Sequence, residues 1–371
     1  MDFTLSEEEL AIQEITAQIL GDKATHERLR QLTKTDTYPD GDAWNALAEA
    51  GVVGASLPVE HGGAGLGFLA TAVALEQVGA TAAPVPLLSS AVLAGLPLAE
   101  FGSDHLRDRW LTGLADGTVI GTAALTEAGT TAAWPTTEAT PTDDGFRLDG
   151  VKTLVPDGLH ADVALIPARI VDDQVAVFVV PTGADGLTRI PVQTTTGRPE
   201  ARFELDGVQV NGTDRLDDGD GAAVIDWIEQ RANTGMCLMM AGAAGASIEM
   251  AADYTKQRRQ FDRPVATFQA VTQRAGDSFI DTEAIRLTAY QAAWRLDSGL
   301  PAAREVQIAK FWSAEGGYRV VHAAVHVHGG VGVDRDYPLH RHFLLARQLE
   351  LSLGNSEEQL TDLGAAIAAN A

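Results

Sequence analysis

The 371-residue chain is poor in cysteine and in basic residues. Its single cysteine, Cys237, excludes an internal disulfide and a cysteine-rich zinc site. Only 27 lysines and arginines stand against 51 aspartates and glutamates, which gives a formal net charge of −24. Because this acidic excess repels phosphate backbones and anionic lipids, we expect no nucleic-acid and no membrane partner. A small polyanion can bind only where basic residues gather locally.

The sequence also lacks a basic, apolar leader and a long hydrophobic run. Residues 1–10 are acidic, which is atypical of a signal peptide. The longest apolar run, residues 236–246, is too short to cross a bilayer. With 45% hydrophobic and 21% charged residues, the composition indicates a globular protein of two or three domains. We therefore expect a cytoplasmic protein.

Three stretches of the chain differ in their hydrophobic patterning. Apolar residues first recur at helical spacing, after a capping-box pattern of Ser6 and Glu9. Short β-branched or alternating segments follow, as expected of a small β-barrel or sandwich, and long helical patterns then return. These textures predict an α+β protein with an N-terminal α-helical domain over 1–118, a middle β domain over 119–220 and a C-terminal helical domain over 221–371.

Basic residues gather in one place, residues 254–273, which read YTKQRRQFDRPVATFQAVTQ. Gathered arginines suit the bidentate binding of phosphate oxygens. The alternative is an ordinary helix C-terminus whose positive side chains complement the helix dipole, and spacing alone favours this interpretation. The four basic residues are Lys256, Arg258, Arg259 and Arg263.

Histidines are frequent near the C-terminus, at positions 322, 326, 328, 340 and 342. His322 and His326 are spaced to share one face of a helix. A zinc site needs a third or fourth ligand held in tetrahedral geometry, and the spacing specifies none. We therefore expect cofactor-side or packing roles for these histidines and no metal site.

Two ordered motifs resemble the signature of the acyl-CoA dehydrogenase family. The first is R-x-Q-F followed by F-Q-A-V within residues 254–273, and the second is H-V-H-G-G-V-G followed by D-Y-P within 326–338. The family has an N-terminal α-helical domain, a middle β-barrel domain and a C-terminal four-helix bundle. These domains match the three stretches of hydrophobic patterning across the whole chain. The resemblance implies an FAD-dependent enzyme in which a glutamate removes the α-proton of a CoA thioester and FAD accepts a hydride from the β-carbon.

The resemblance also implies cofactor-binding residues. One set would meet the phosphate and adenosine end of a flavin that is bound mainly by a neighbouring subunit. In the glycine loop, where His326 replaces the family's usual glutamine, backbone groups would approach the cofactor, and glycine leaves room for that approach. The implied residues are Arg258, Gln260, Phe261, Phe268, Gln269, His326, Gly329 and Gly330.

The family's catalytic base is missing from this sequence. Its usual position opens the motif E-G-T-S-E, but residues 353–357 read L-G-N-S-E, which places Leu353 there. A minority branch of the family carries the base in the first helix of the C-terminal domain, where ungapped alignment places Ala232. Neither side chain can accept a proton, so we predict no catalytic residue in this chain.

The family's flavin-ring contacts are also eroded. Of the loop T-E-P-x-A-G-S-D, only T-E-A-G survives at residues 126–129. The segment W-I-T-N, which packs on the flavin ring, is replaced by L-V-P-D at residues 154–157. Pro156 has no backbone N–H, so it cannot offer a main-chain donor there either.

Three hypotheses follow. The family's flavin-ring contacts and catalytic base are absent from this sequence, whereas its residues for the adenosine end of the flavin are present. This difference favours a non-catalytic subunit. Residues 278–296 and 311–332 resemble the smaller subunits of the α2β2 acyl-CoA dehydrogenases of bacterial sterol side-chain degradation. That likeness implies a partner that supplies the glutamate and binds most of a bulky acyl-CoA, two flavins per heterotetramer, and an electron-transfer flavoprotein as acceptor. The alternatives are a homotetrameric dehydrogenase whose base has moved to Glu350, Glu357 or Glu229, and a purely structural partner that binds no flavin.

Overall fold

The computed structural model describes residues 4–171, 174–198, 200–216 and 219–369. The chain divides into two units, each assembled from separate stretches. A helical unit comprises residues up to 37, 72–84 and those from 233 onward, and a mixed unit comprises 38–71 and 85–232. The helices are α1 (Glu7–Lys23), α2 (His26–Thr35), α3 (Gly41–Glu49), α4 (Phe68–Thr81), α5 (Leu96–Phe101), α6 (Asp104–Ala115), α7 (Gly221–Gln257), α8 (Gln269–Asp297), α9 (Ala303–His328), α10 (Leu339–Leu351) and α11 (Ser356–Ala369).

The helical unit is built on close contacts between helices. A Cβ atom on Gly242 of α7 would lie 1.9 Å from the carbonyl oxygen of Glu76 in α4, and one on Gly79 of α4 would lie 1.9 Å from that of Met239. Glycine is therefore required at this crossing, as the small residues of α7 predict. The capping box at the start of α1 is confirmed, because Ser6 Oγ accepts from the Glu9 N–H at 3.2 Å.

The mixed unit contains a seven-stranded sheet in the order β1-β4-β2-β3-β7-β6, with β5 paired to β4. The strands β1 and β4 pair in parallel, and β3 pairs antiparallel to β7. One face of the sheet buries apolar side chains such as Ile166, Phe178 and Phe203. The strands are β1 (Gly121–Ala123), β2 (Glu138–Pro141), β3 (Gly145–Pro156), β4 (Val163–Arg169), β5 (Val175–Pro181), β6 (Leu187–Val192), β7 (Glu200–Asn211), β8 (Arg259–Gln260) and β9 (Arg263–Pro264), the last two forming a separate hairpin.

The apolar patterns at 203–205 and 208–210 predict two short strands, but both belong to the single strand β7. The intervening Asp206 and Gly207 look like a turn but form a bulge, because Leu148 pairs with Val208 while Gly150 pairs with Leu205. The α+β fold class is confirmed, with helices in the N- and C-terminal parts and the large sheet between them. The domain boundaries at 118 and 220 stay predictions.

The long helix α7 has the composition of a membrane span over one 18-residue window, with a mean hydropathy of 1.3. The short apolar run at 236–246 is thus part of a longer apolar helix. However, 61% of that window is buried inside the fold, which is the behaviour of a core helix.

Candidate functional site

An arginine-rich hairpin, residues 258–268, follows the C-terminus of α7. The strands β8 and β9 pair through Arg259 with Pro264 and Gln260 with Arg263. The two turn residues, Phe261 and Asp262, have φ angles of 50° and 60°. Two successive residues with positive φ are typical of a type I′ turn, which normally takes Asn-Gly. The turn instead presents Phe261, whose side chain is 89% exposed.

The hairpin brings together two of the predicted aromatic residues. The rings of Phe261 and Phe268 meet edge to face with centroids 6.4 Å apart. The guanidinium of Arg263 lies 4.3 Å from the centroid of Phe268. Gln269 begins α8 beside Phe268, and Gln260 lies in β8, both with exposed side chains.

The guanidinium groups near this hairpin form no ion pair with a described carboxylate. Across the described parts of the chain, no carboxylate lies within 4.0 Å of the side-chain nitrogens of Arg258, Arg259, Arg263 or Arg274. Lys256 differs, because it lies in the last turn of α7 with Asp253 at 3.6 Å. The helix-dipole interpretation therefore covers Lys256, whereas Arg258, Arg259 and Arg263 follow the end of α7, and Arg259 donates to the Asp262 carbonyl.

The predicted glycine loop lies at the end of α9. Gly329 has φ 61° and ψ −137°, a conformation open essentially to glycine alone. A Cβ atom at Gly329 or Gly330 would meet no atom within 4 Å, so the main chain here borders open space. This arrangement permits a ligand to approach the backbone closely.

Aromatic rings pack together between the residue stretches that precede the hairpin and the glycine loop. The buried ring of His328 stacks on Tyr254 with centroids 4.5 Å apart, and its Nε2 lies 3.1 Å from the Tyr337 hydroxyl. Tyr254 is four residues before Arg258, and His328 directly precedes Gly329. The structure therefore places the two predicted segments at the same end of the helical unit.

His326 lies on the last turn of α9, where its Nδ1 is 2.7 Å from Arg274 Nη1 on α8. Arg274 also lines a shallow groove between α7, α8 and α9. The walls of this groove are mostly small and apolar, as at Ala251, Val271 and Val327. The sequence motifs do not single out Arg274.

Three more histidines of the C-terminal group contact main-chain carbonyl groups. His322 Nδ1 lies 2.8 Å from the Tyr318 oxygen, His340 Nδ1 lies 2.7 Å from the Tyr337 oxygen, and His342 Nε2 lies 2.8 Å from the Ala80 oxygen. Burial lowers the pKa of His340 and of His342. No group of three possible metal ligands occurs in the portion of the chain that the structure describes.

Both predicted base positions hold side chains that cannot take a proton. Leu353 lies in the turn between α10 and α11 with φ 50°, and Asn355 then caps α11 by accepting from the Glu357 N–H at 2.9 Å. Ala232 is fully buried in α7.

The three alternative bases differ in their surroundings. Glu357 is exposed on the first turn of α11, and Glu229 is half-buried on α7. Glu350 accepts a hydrogen bond from Arg347, and burial raises the pKa of its carboxyl against the opposing charge of that arginine. Among the three, Glu350 has the environment closest to that of a general base.

In the mixed unit, Glu127 of the T-E-A-G segment is buried in what we call the Glu127 hub, formed with Lys152, Thr136 and Thr137. Lys152 Nζ lies 2.6 Å from the carboxylate, which also accepts from the Thr137 hydroxyl at 2.7 Å and the Thr136 N–H at 2.6 Å. Burial alone would raise the pKa of Glu127, but Lys152 and the threonine donors lower it to about 2. The carboxylate is therefore engaged inside the fold and is not a proton acceptor.

The segment at 154–157 offers no free polar side chain. Leu154 is 48% exposed and has φ 50°. The carbonyl of Pro156 accepts from the Thr122 hydroxyl at 2.6 Å. The carboxylate of Asp157 accepts from the hydroxyls of Tyr38 and Ser89, and burial together with this carboxylate raises the pKa of Tyr38.

Four residues that contact the predicted segments, Lys152, Tyr38, Ser89 and Arg274, belong to none of the sequence motifs. A lone lysine inside an alternating strand pattern was a usable signal for Lys152, because such a lysine needs a buried partner. Tyr38 and Ser89 contact Asp157 across 119 and 68 residues of sequence, and no local pattern announces them.

Comparisons with known proteins agree with these observations. Residues 219–368 match the family description "Acyl-CoA dehydrogenase, C-terminal domain", and residues 6–118 match "Acyl-CoA dehydrogenase, N-terminal domain". The chain is 38% identical to acyl-CoA dehydrogenase FadE27 of Mycobacterium tuberculosis, over 99% of each chain. It matches a chain of the ChsE4-ChsE5 complex from Mycobacterium tuberculosis with a TM-score of 0.94 and 38% identity, again over 99% of each chain. It matches a chain of a Tcur3481-Tcur3483 steroid ACAD variant with a TM-score of 0.92 and 38% identity, over 99% of each chain.

Proposed function

This chain belongs to the acyl-CoA dehydrogenase family of FAD-dependent oxidoreductases, and we propose that it is the non-catalytic subunit of a heteromeric member. One observation carries the proposal. The arginine-rich hairpin is exposed and forms no ion pair with a carboxylate of the described residues, whereas both base positions, Leu353 and Ala232, hold side chains without a proton acceptor. Such a chain is equipped to contact a flavin whose ring is used by another subunit.

The helical unit fits the phosphate and adenosine arm of FAD. Arg258 and Gln260 supply donors for phosphate oxygens, and Phe261 supplies an exposed ring. Gly329 and Gly330 leave the main chain open to close approach. These features support binding of the arm of a flavin that is held mainly by the partner.

Bound FAD supplies the hydride acceptor for α,β-desaturation in this family. A general base must reach within about 2.6–3.2 Å of the proton that it removes. Since Leu353 cannot accept that proton, the glutamate comes from the catalytic partner, which also binds most of the acyl-CoA. An electron-transfer flavoprotein then takes the electrons from the complex.

The substrate class that we propose is a bulky CoA thioester, such as one with a sterol side chain. The ChsE4-ChsE5 and Tcur3481-Tcur3483 relatives are named as pairs of chains, and the second pair is called a steroid ACAD. A complex with half as many active sites leaves more room at each of them for a large acyl group.

The proposal is tested by flavin retention in the complex co-expressed with its catalytic partner. Arg258→Ala should weaken FAD binding about tenfold or more, because a hydrogen bond to a charged group contributes about 1.5–3 kcal/mol. Arg304→Ala removes an exposed arginine from the first turn of α9 and serves as the matched control. Unchanged flavin content in Arg258→Ala would support the purely structural partner instead.

The raised pKa of Glu350 favours a second candidate, a self-sufficient homotetramer with a relocated base. In that case the chain purified alone oxidises acyl-CoA thioesters, and Glu350→Gln abolishes the reaction while Glu357→Gln does not. Under our proposal the chain alone has no such activity, and Glu350→Gln leaves turnover of the complex within about twofold.

A further inference from the structure

The contact between Arg274 and His326 has a consequence for the glycine loop. We infer that Arg274 is a positioning residue that fixes the His326 ring as the Nε2–H tautomer, so that this N–H can donate to the flavin arm. The inference rests on the proposed function, because it concerns the same cofactor contact. Arg274 acts through His326 and is not a catalytic residue.

The tautomer follows from the chemistry of the two side chains. Arg274 Nη1 lies 2.7 Å from His326 Nδ1. A guanidinium group only donates hydrogen bonds, so Nδ1 must accept with its lone pair. The ring proton of the neutral imidazole is then on Nε2, which is left as a donor.

This arrangement explains how a histidine replaces the family's usual glutamine. A glutamine side chain carries its own amide N–H, whichever neighbours it has. A neutral imidazole donates from only one of its nitrogens, so an unassisted His326 would divide between two tautomers. A second residue is therefore needed to select the donor, and Arg274 supplies it.

The position of Arg274 suits this role. It lies one and a half turns into α8, five residues after Gln269, and its side chain lines the groove between α7, α8 and α9. In the described residues, its guanidinium has no carboxylate within 4.0 Å. The guanidinium of Arg274 therefore contacts His326 and forms no ion pair with a described carboxylate.

The test is a double-mutant comparison of FAD dissociation constants in the co-expressed complex. Arg274→Met should weaken FAD binding about fivefold in the native background, as expected for one misdirected hydrogen bond. Arg274→Lys keeps a donor and should stay within about twofold of the native value. His326→Gln carries its own amide N–H, so Arg274→Met should have no further effect on FAD binding in that background.

Two results would overturn the inference. Equal weakening by Arg274→Met in the native and His326→Gln backgrounds would show a direct or purely structural role for Arg274. No weakening in the native background would show that the tautomer is immaterial to FAD. If Arg274→Met fails to assemble, His326→Ala decides: it should weaken FAD binding about fivefold, and unchanged FAD binding would overturn the inference. Arg258→Ala distinguishes failure of this inference from failure of the proposed function. If Arg258→Ala leaves FAD binding unchanged, the proposed function itself fails.

Discussion

Near the arginine-rich hairpin of the helical unit, four arginines have no carboxylate neighbour in the described chain, whereas the Glu127 hub of the mixed unit pairs its charges internally. Lys152 is fully buried, and Glu127 is 4% exposed. An exposed, uncompensated charge costs the fold little and is available to a ligand. A buried charge is costly unless it is paired, so the hub's ion pair serves the fold. Under the proposed function, the first region serves cofactor contact and the second serves the fold.

Breaking the hub should have the largest effect on stability. Glu127→Gln leaves Lys152 buried without a charged partner, which should lower the free energy of unfolding by about 3–5 kcal/mol. Denaturant unfolding of the purified complex measures it. Glu138→Gln breaks the half-exposed pair with Arg169 and should cost less than about 1 kcal/mol. Equal, small losses in both variants would contradict a structural role for the hub.

The hub should also give the fold a defined acid dependence. The pKa of Glu127 falls from 4.5 to about 2 on folding, so the unfolded chain binds the proton more tightly in that interval. The stabilisation is therefore complete above pH 4.5 and is lost as the pH falls toward 2. The stabilisation that follows from the lowered pKa of Glu127 amounts to about 3 kcal/mol.

Unfolding measured across that range should show the difference between the native protein and Glu127→Gln shrinking as the pH falls. A difference that stays constant down to the acid limit would mean that Glu127 does not titrate with the lowered pKa.

A residue better suited to the hairpin turn at position 261 should have a smaller effect. It should stabilise the fold and weaken the retention of FAD. Asparagine tolerates the positive φ of position 261 better than phenylalanine, so Phe261→Asn should raise the free energy of unfolding by up to about 1 kcal/mol. Loss of the exposed ring should at the same time reduce FAD retention. Asp36→Asn, at another exposed residue with positive φ, is the control and should leave FAD retention unchanged. Unchanged flavin binding in Phe261→Asn would mean that the strained turn has no cofactor role.

The sequence marks the residues of the hairpin and the glycine loop but not those of the hub, and the reason is physical. The hairpin and the glycine loop are each contiguous in sequence, so short motifs mark their residues, although no Asn-Gly signal predicts the turn at Phe261. Glu127 meets Lys152 across 25 residues, and Arg274 meets His326 across 52. Such pairs exist only after strands or helices pack together. The bulge at Gly207 depends on the same kind of non-local pairing, because it is set by the register of β7 against β3.

We propose that this chain contacts a flavin whose ring is used by another subunit. The most direct test measures FAD content and acyl-CoA oxidation for the chain expressed alone and with its catalytic partner. We expect a colourless, inactive chain alone, and about one FAD for each pair of chains in an active complex. A yellow chain that oxidises a CoA thioester by itself would contradict it.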